Sequence, residues 1–177
     1  EAPGEPPRYR MLEILRQYAA QRLRDTPLWI RTRDRHAAHF LALAEEAEPR
    51  LFGGAGDARW MSRLDLEEGN LREAVEWGLA DPSRVATALR ILTALHWYWF
   101  ARGRFAGCRT LLERGLAAGE HAPPEVRARA LSALAVIGVW QGDGALMRPR
   151  AEASVALLRE SADTESLVYA LTVLGAT

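Results

Sequence analysis

The sequence predicts an all-α chain, a helical linker region followed by an α-solenoid of helix pairs. Three observations predict it. Apolar residues recur every three or four positions almost throughout, and the alternation of a half-buried strand is nearly absent. Gly103 and Gly142 each stand between two such stripes, and sliding the chain by their separation puts Leu92 on Leu131 and Leu95 on Leu134. A slide one residue longer puts Ala130 on Ala170, Leu131 on Leu171 and Leu134 on Leu174. A two-helix unit repeated at this length marks a solenoid.

The elements follow in order. Residues 1–8, "EAPGEPPR", read as a flexible lead-in with no signal peptide. Met11, Leu12, Leu15, Tyr18, Ala19 and Leu23 form one stripe, which predicts a helix from about Arg8 to Arg24. Thr26-Pro27 is a cap followed by a first-turn proline. The next helix carries Ile30, Ala37, Phe40, Leu41, Ala44 and Ala47 and stops at Pro49. "FGGAGD" is a loop whose Asp57 can cap a helix bearing Trp60 and Leu64. A further helix bears Leu71, Ala74, Val75 and Leu79, and "ADPS" ends it. Residues 9–81 are therefore a helical linker region and 82–177 the repeats. The last repeat is cut off in its first helix, so the chain is expected to be a piece of a longer protein.

Composition excludes several classes. With 177 residues, 49% hydrophobic and 26% charged, the chain is globular and not disordered. Formal net charge is zero, so no global field draws nucleic acid or anionic lipid. All 23 Lys-or-Arg positions are arginine, which removes any P-loop or Schiff-base lysine. Cys108 is the one cysteine, so an intrachain disulfide is impossible and a reducing, cytoplasmic compartment is expected. No run approaches the ~18 apolar residues of a membrane span.

The repeats resemble the tetratricopeptide type. "WQGDGALM" has that family's helix-Gln-Gly-Asp-helix corner, although the unit is longer than the usual ~34 residues. The small-residue sites of the motif fall on Ala135, Met147 and Ser154, and in the preceding unit on His96, Cys108 and Gly115. His96 and Met147 are not small, which implies looser or shifted packing. Pro149 should delay or kink the second helix of the middle unit.

The order of segments carries a second resemblance. "RYRMLEILRQYAAQRL" (8–23), "RHAAHFLALAEEAEPRL" (35–51), "WMSRLDLEEGNLREAVEWGL" (60–79) and "ALHWYWFARGRFAGCRTLLERGL" (94–116) are similar, in this order, to the region that follows the winged-helix domain in bacterial STAND-type regulators. Those are signal-transduction ATPases that often carry a LuxR- or AfsR-type DNA-binding domain. Gly69 stands where that pattern has a polar residue. The resemblance implies a non-enzymatic arm that senses an inducer or partner and holds the ATPase at rest. It implies no cofactor here, with ATP held only by an ATPase domain outside this sequence.

Residues 96–100, "HWYWF", are five rings in a row, which no single helix face can hide. Leu92, Leu95 and Trp99 share the packed stripe, whereas Trp97 and Phe100 face the inner groove of the repeats. Trp97 and Trp140 should be partly open and Trp99 buried. The groove set is Arg90, Thr93, Trp97, Phe100, Arg129, Ser132, Trp140, Tyr169 and Thr172. Rings, hydroxyls and arginines together suit a peptide segment or a small ligand with an acidic group. Missing C-terminal helices packing there are an equal alternative, with self-association through the truncated repeat a related one.

Other candidates are weaker. His36 and His39 sit at i, i+3 and are the only basis for a rival reading as a metal-dependent hydrolase. They lack a third ligand and the glutamate of an H-E-x-x-H helix. Asp65, Glu67 and Glu68 read as a solvated face, Cys108 as a small buried hydrophobe, and Arg31, Arg33 and Arg35 as surface and not a phosphate track. No serine has a nucleophile-elbow setting. Direct nucleic-acid or membrane binding is not expected. The remaining alternative is an adaptor that scaffolds protein partners without sensing a ligand.

Overall fold

The computed structural model describes residues 11–51, 57–161 and 163–177, and among these every regular element is helical. In chain order they are α1 (Glu13–Arg24), α2 (Leu28–Ala47), a 3-10 turn (Glu48–Arg50), α3 (Ala58–Leu79), a second 3-10 turn (Pro82–Arg84), α4 (Val85–Ala94), α5 (His96–Ala101), α6 (Phe105–Ala118), α7 (Pro124–Trp140), α8 (Gly144–Leu158) and α9 (Thr164–Ala176). None of the described helices is long and apolar enough to cross a membrane. The expected lead-in and most of the "FGGAGD" loop lie outside the described residues.

The chain divides into two compact units, Glu1–Arg35 and His36–Thr177. In the first, α1 forms as its periodicity predicts, yet Met11, Leu12, Leu15 and Tyr18 are exposed. The Thr26 hydroxyl donates to the Leu23 carbonyl (2.7 Å) and accepts from the Leu28 N–H (3.3 Å), closing one helix and opening the next. Ile30, expected on the packed stripe, is exposed.

The second unit has a main core running from Ala37 to Val173. The end of α2 contributes Phe40, Leu43, Ala44 and Ala47. Asp57 caps α3 by accepting from the Arg59 N–H at 2.8 Å. Two helices were expected between Asp57 and Leu79, but α3 is continuous. Its buried residues Met61, Leu64, Leu71, Val75 and Gly78 keep one helical phase, and Gly69 lies on the solvent side, where it interrupts nothing. Gly78 lets α3 approach α4: a Cβ there would stand 2.7 Å from Ala88 Cβ.

The two glycines at repeat-related positions make the same turn. Gly103 (φ 68°) and Gly142 (φ 82°) are the described residues with positive φ. After each, the chain closes the preceding helix with a six-to-one bond, Arg104 N–H to Trp99 carbonyl and Asp143 N–H to Gly138 carbonyl, both 2.8 Å. The glycine N–H reaches the carbonyl three residues back, Phe100 at 2.9 Å and Val139 at 3.1 Å. This pattern needs a left-handed residue, which a side chain disfavours by ~1–2 kcal/mol.

Helices α7 and α8 pack closely beyond the second turn. All six small-residue positions are buried, Met147 and His96 included. Met147 fits because Gly138 faces it: a Cβ on residue 138 would fall 1.9 Å from Met147 Cγ. The Ser132 and Ser154 hydroxyls meet at 2.8 Å in the same interface, and Ser154 donates onward to the Ala128 carbonyl at 2.8 Å. Helix α8 runs from Gly144 through Pro149 without the expected delay.

The Gly138–Met147 contact yields a stability prediction. Gly138→Ala should destabilise by ~1–3 kcal/mol in urea unfolding, because the methyl has no space. In a Met147→Ala background the same change should cost less than about 1 kcal/mol, since the two sites share one volume. Equal costs in both backgrounds would show that the residues do not touch.

Candidate functional site

A cavity of about 560 Å³ opens within the second unit. Its walls come from the junction of α4 and α5 (Thr93, His96, Trp97), from α7 (Arg129, Ser132, Ala133), from α9 and its cap (Asp163, Glu165, Ser166, Tyr169), and from the turn at Glu48 and Pro49. The volume lies within the ~300–1,000 Å³ usual for small-molecule sites.

The α4–α5 junction sets the shape of this wall. The ring run was expected on one uninterrupted helix, but the helix breaks at Leu95. The carbonyl of Thr93, which Trp97 N–H would take in an unbroken helix, is met by His96 Nδ1 at 2.6 Å. A carbonyl only accepts, so Nδ1 carries the proton and Nε2 is left as an acceptor. The Tyr169 hydroxyl lies 3.2 Å from Nε2 and donates to it. One directed chain thus runs from Tyr169 through His96 to the Thr93 carbonyl, tying α5 to α9.

Electrostatics agree with that assignment. Burial, aided by the nearby Arg129 charge, lowers the His96 pKa to about 4 despite the Thr93 bond that favours the proton. The imidazole is neutral at pH 7. Burial, with the Glu48 carboxylate, pushes the Tyr169 hydroxyl up to about 12. The Arg129 guanidinium pairs with Glu48. Asp163 caps α9, accepting from the Ser166 N–H at 3.0 Å, and its pKa is lowered by the bonds from Ser166 and by Arg129.

The nine groove residues read from the sequence divide. Thr93, Trp97, Arg129, Ser132 and Tyr169 line the cavity; Arg90, Phe100, Trp140 and Thr172 do not. Arg90 is bound to Glu45, its Nε 2.9 Å from the carboxylate. Phe100 stands edge-on to Trp97 (5.4 Å between centroids), Phe105 (5.0 Å) and Trp140 (5.0 Å). Trp140 is 63% exposed, Trp97 is half-buried, and Trp99 is 9% exposed, the order the helical phase requires. The Thr172 hydroxyl turns back to the Val168 carbonyl. Sequence reasoning missed Glu48, His96, Asp163, Glu165 and Ser166. Capping and turn residues carry no periodic signal, and His96 read only as an oversized packing residue. The arginines suggested an acidic ligand, but three carboxylates surround the single arginine of this cavity.

The other candidates have structural roles. His36 and His39 flank the Phe40 ring, with centroids at 4.7 and 4.9 Å. Among the described residues no group of three or more His, Cys, Asp or Glu could hold a metal ion. Asp65, expected on a solvated face, is gripped by Arg102 (Nε to Oδ1, 2.8 Å) and by the buried Tyr98 hydroxyl (3.0 Å). The Arg102 bond, with help from Tyr98, lowers its pKa. Glu68 pairs with Arg104. Burial pushes the Cys108 thiol up to about 12, far from a reactive thiolate.

The chain is similar to proteins named HTH-type transcriptional regulators from Mycobacterium bovis and Mycobacterium tuberculosis. The identity is 31% over 180 aligned positions, covering 95% of this chain. The chain spans about one fifth (20%) of the length of these curated relatives. No family model and no solved structure matches it.

The His96 environment predicts a pH dependence. Unfolded His96 titrates near its ordinary 6.5 and folded His96 near about 4. Above pH 6.5 both states are neutral there and folding bears no penalty. Between 6.5 and 4 the unfolded chain takes up the proton first, so stability falls with pH, by up to about 3 kcal/mol from this residue. Urea unfolding of the parent and of His96→Gln over this range should show the steeper fall in the parent. Parallel profiles would mean that His96 is not held neutral.

Proposed function

We propose that this chain is the sensing and protein-interaction arm of a helix-turn-helix transcription regulator of the STAND type. In this reading residues 82–177 are tetratricopeptide-like repeats, and the cavity takes a small-molecule inducer or a segment of a partner protein. The arm performs no catalysis and binds neither DNA nor membrane. Nucleotide binding belongs to an ATPase domain elsewhere in the parent protein, which works in the cytoplasm. One observation carries the proposal: the cavity is walled by α4–α5, α7, α9 and the Glu48 turn together. A molecule bound there contacts four separate elements and can bias their arrangement by its differential affinity. The similarity to named transcriptional regulators supports the setting. The matching turns at Gly103 and Gly142 support the repeat reading, as does the packing of α4 on α6, α6 on α7, and α7 on α8.

A second reading, a repeat adaptor that scaffolds partners without a ligand, is favoured by Trp140. Its exposed ring lies outside the cavity against Phe100, as an aromatic anchor for a protein surface would.

Filling the cavity separates the two. Ser166→Trp in the full-length regulator should place an indole in the cavity, with Ser166→Ala as the control for losing the serine hydroxyl. The expected result is a shift of about threefold or more in the regulator's transcriptional output for the tryptophan variant alone. Unchanged output from a variant that melts like the alanine control would reject sensing through this cavity. Loss of partner capture on Trp140→Ala under the same conditions would favour the adaptor.

A further inference from the structure

We propose that the cavity is a site for a small organic cation, an ammonium or guanidinium group carried on a ring or short apolar body. This rests on the cavity being a ligand site and adds the sign of the ligand's charge.

Two independent features point there. The first is the balance of charge. Glu48, Asp163 and Glu165 line the cavity against one guanidinium, Arg129. Arg129 is already paired with Glu48, and its charge also acts on Asp163. Among the described residues, Glu165 has no ion-pair partner. The start of α9 contributes roughly half a positive charge. Together with Arg129 this does not offset three carboxylates, so an anion enters against the field. His96, neutral as described, adds nothing in its favour.

The second feature is where the wall's hydrogens go. The Thr93 hydroxyl donates to the Arg90 carbonyl at 3.0 Å. Ser154 gives its proton to Ala128, so Ser132 donates to Ser154. Tyr169 donates to His96 and His96 to the Thr93 carbonyl. Apart from the Trp97 indole, the Ser166 hydroxyl and spare N–H groups on Arg129, the wall offers an incoming molecule mainly acceptors: carboxylate oxygens, hydroxyl lone pairs and ring surface. Acceptors and aromatic rings around a half-enclosed space recognise a cation and offer a carboxylate few donors.

A matched pair of probes tests the sign. Phenethylamine and 3-phenylpropanoate share a ring and a two-carbon arm and differ in the charge at its end. In calorimetric titration of the chain, phenethylamine should bind once per chain and roughly tenfold or more tighter than 3-phenylpropanoate. Glu165→Gln, a change on the exposed lip that should leave the melting temperature unaltered, should weaken phenethylamine by about threefold or more. Ser166→Trp should abolish it, fixing the site. Equal or tighter binding of 3-phenylpropanoate at a site blocked by Ser166→Trp would overturn the cation assignment and leave the sensing role intact. No saturable phenethylamine binding, or binding indifferent to Glu165→Gln and Ser166→Trp, would overturn the proposal. The sensing role would then stand or fall on the transcriptional output of Ser166→Trp alone.

Discussion

The hydrogen-bond chain from Tyr169 through His96 to Thr93 is the constraint on which the rest of the second unit depends. Each member has one role it can play: the carbonyl accepts, the imidazole donates at Nδ1 and accepts at Nε2, and the phenol donates. The direction of every proton is therefore fixed. A buried polar group that loses its partner costs about 1–3 kcal/mol, more than a satisfied bond contributes, so the three groups stand or fall together. The chain accounts for the break at Leu95, because His96 reaches the carbonyl that the helix would otherwise use. It also joins residues 73 positions apart in sequence, binding α9 to the α4–α5 junction. The cavity beside it inherits an uncharged imidazole in an acceptor-rich wall.

Glycine sets the spacing around that chain. Gly103 and Gly142 turn the chain between successive helices with the same bonds, and Gly78 and Gly138 let helix pairs approach to distances a methyl would forbid. The pairing of Gly138 with Met147 shows how a closely packed helix pair accommodates a large residue. The missing side chain on one helix supplies the volume for the other. Packing is tight where α7 meets α8, and the open volume lies on the α9 side, where polar groups, turns and caps converge.

Much of this was legible in the sequence for a physical reason. Helical periodicity reflects burial of one face, and burial is local information: the phase that put Trp99 inside and Trp97 and Trp140 at the surface follows from spacing alone. Glycine turns and the Asp57 cap are likewise local. What was not legible is pairwise and distant. Nothing near His96 announces Tyr169, and nothing near Arg129 announces Glu48. The acidic residues of the cavity sit in a cap, a first turn and a 3-10 turn, where their ordinary local roles conceal a shared one. Arg90 and Arg129 read alike in the sequence, yet one is tied to Glu45 outside the cavity and the other to Glu48 on its wall. The continuity of α3 through Gly69 was missed because glycine weakens a helix without ending it when the apolar phase persists.

The central claim is the protonation and direction of this chain, and nitrogen NMR of the imidazole tests it most directly. Long-range nitrogen–proton correlation of the chain with labelled histidine, assigned to residue 96 by His96→Gln, reports the tautomer and charge of that ring. The account predicts a neutral ring with the proton on Nδ1, unchanged from pH 8 down to pH 5.5. A ring protonated on Nε2, or an imidazolium forming near pH 6.5, would contradict it.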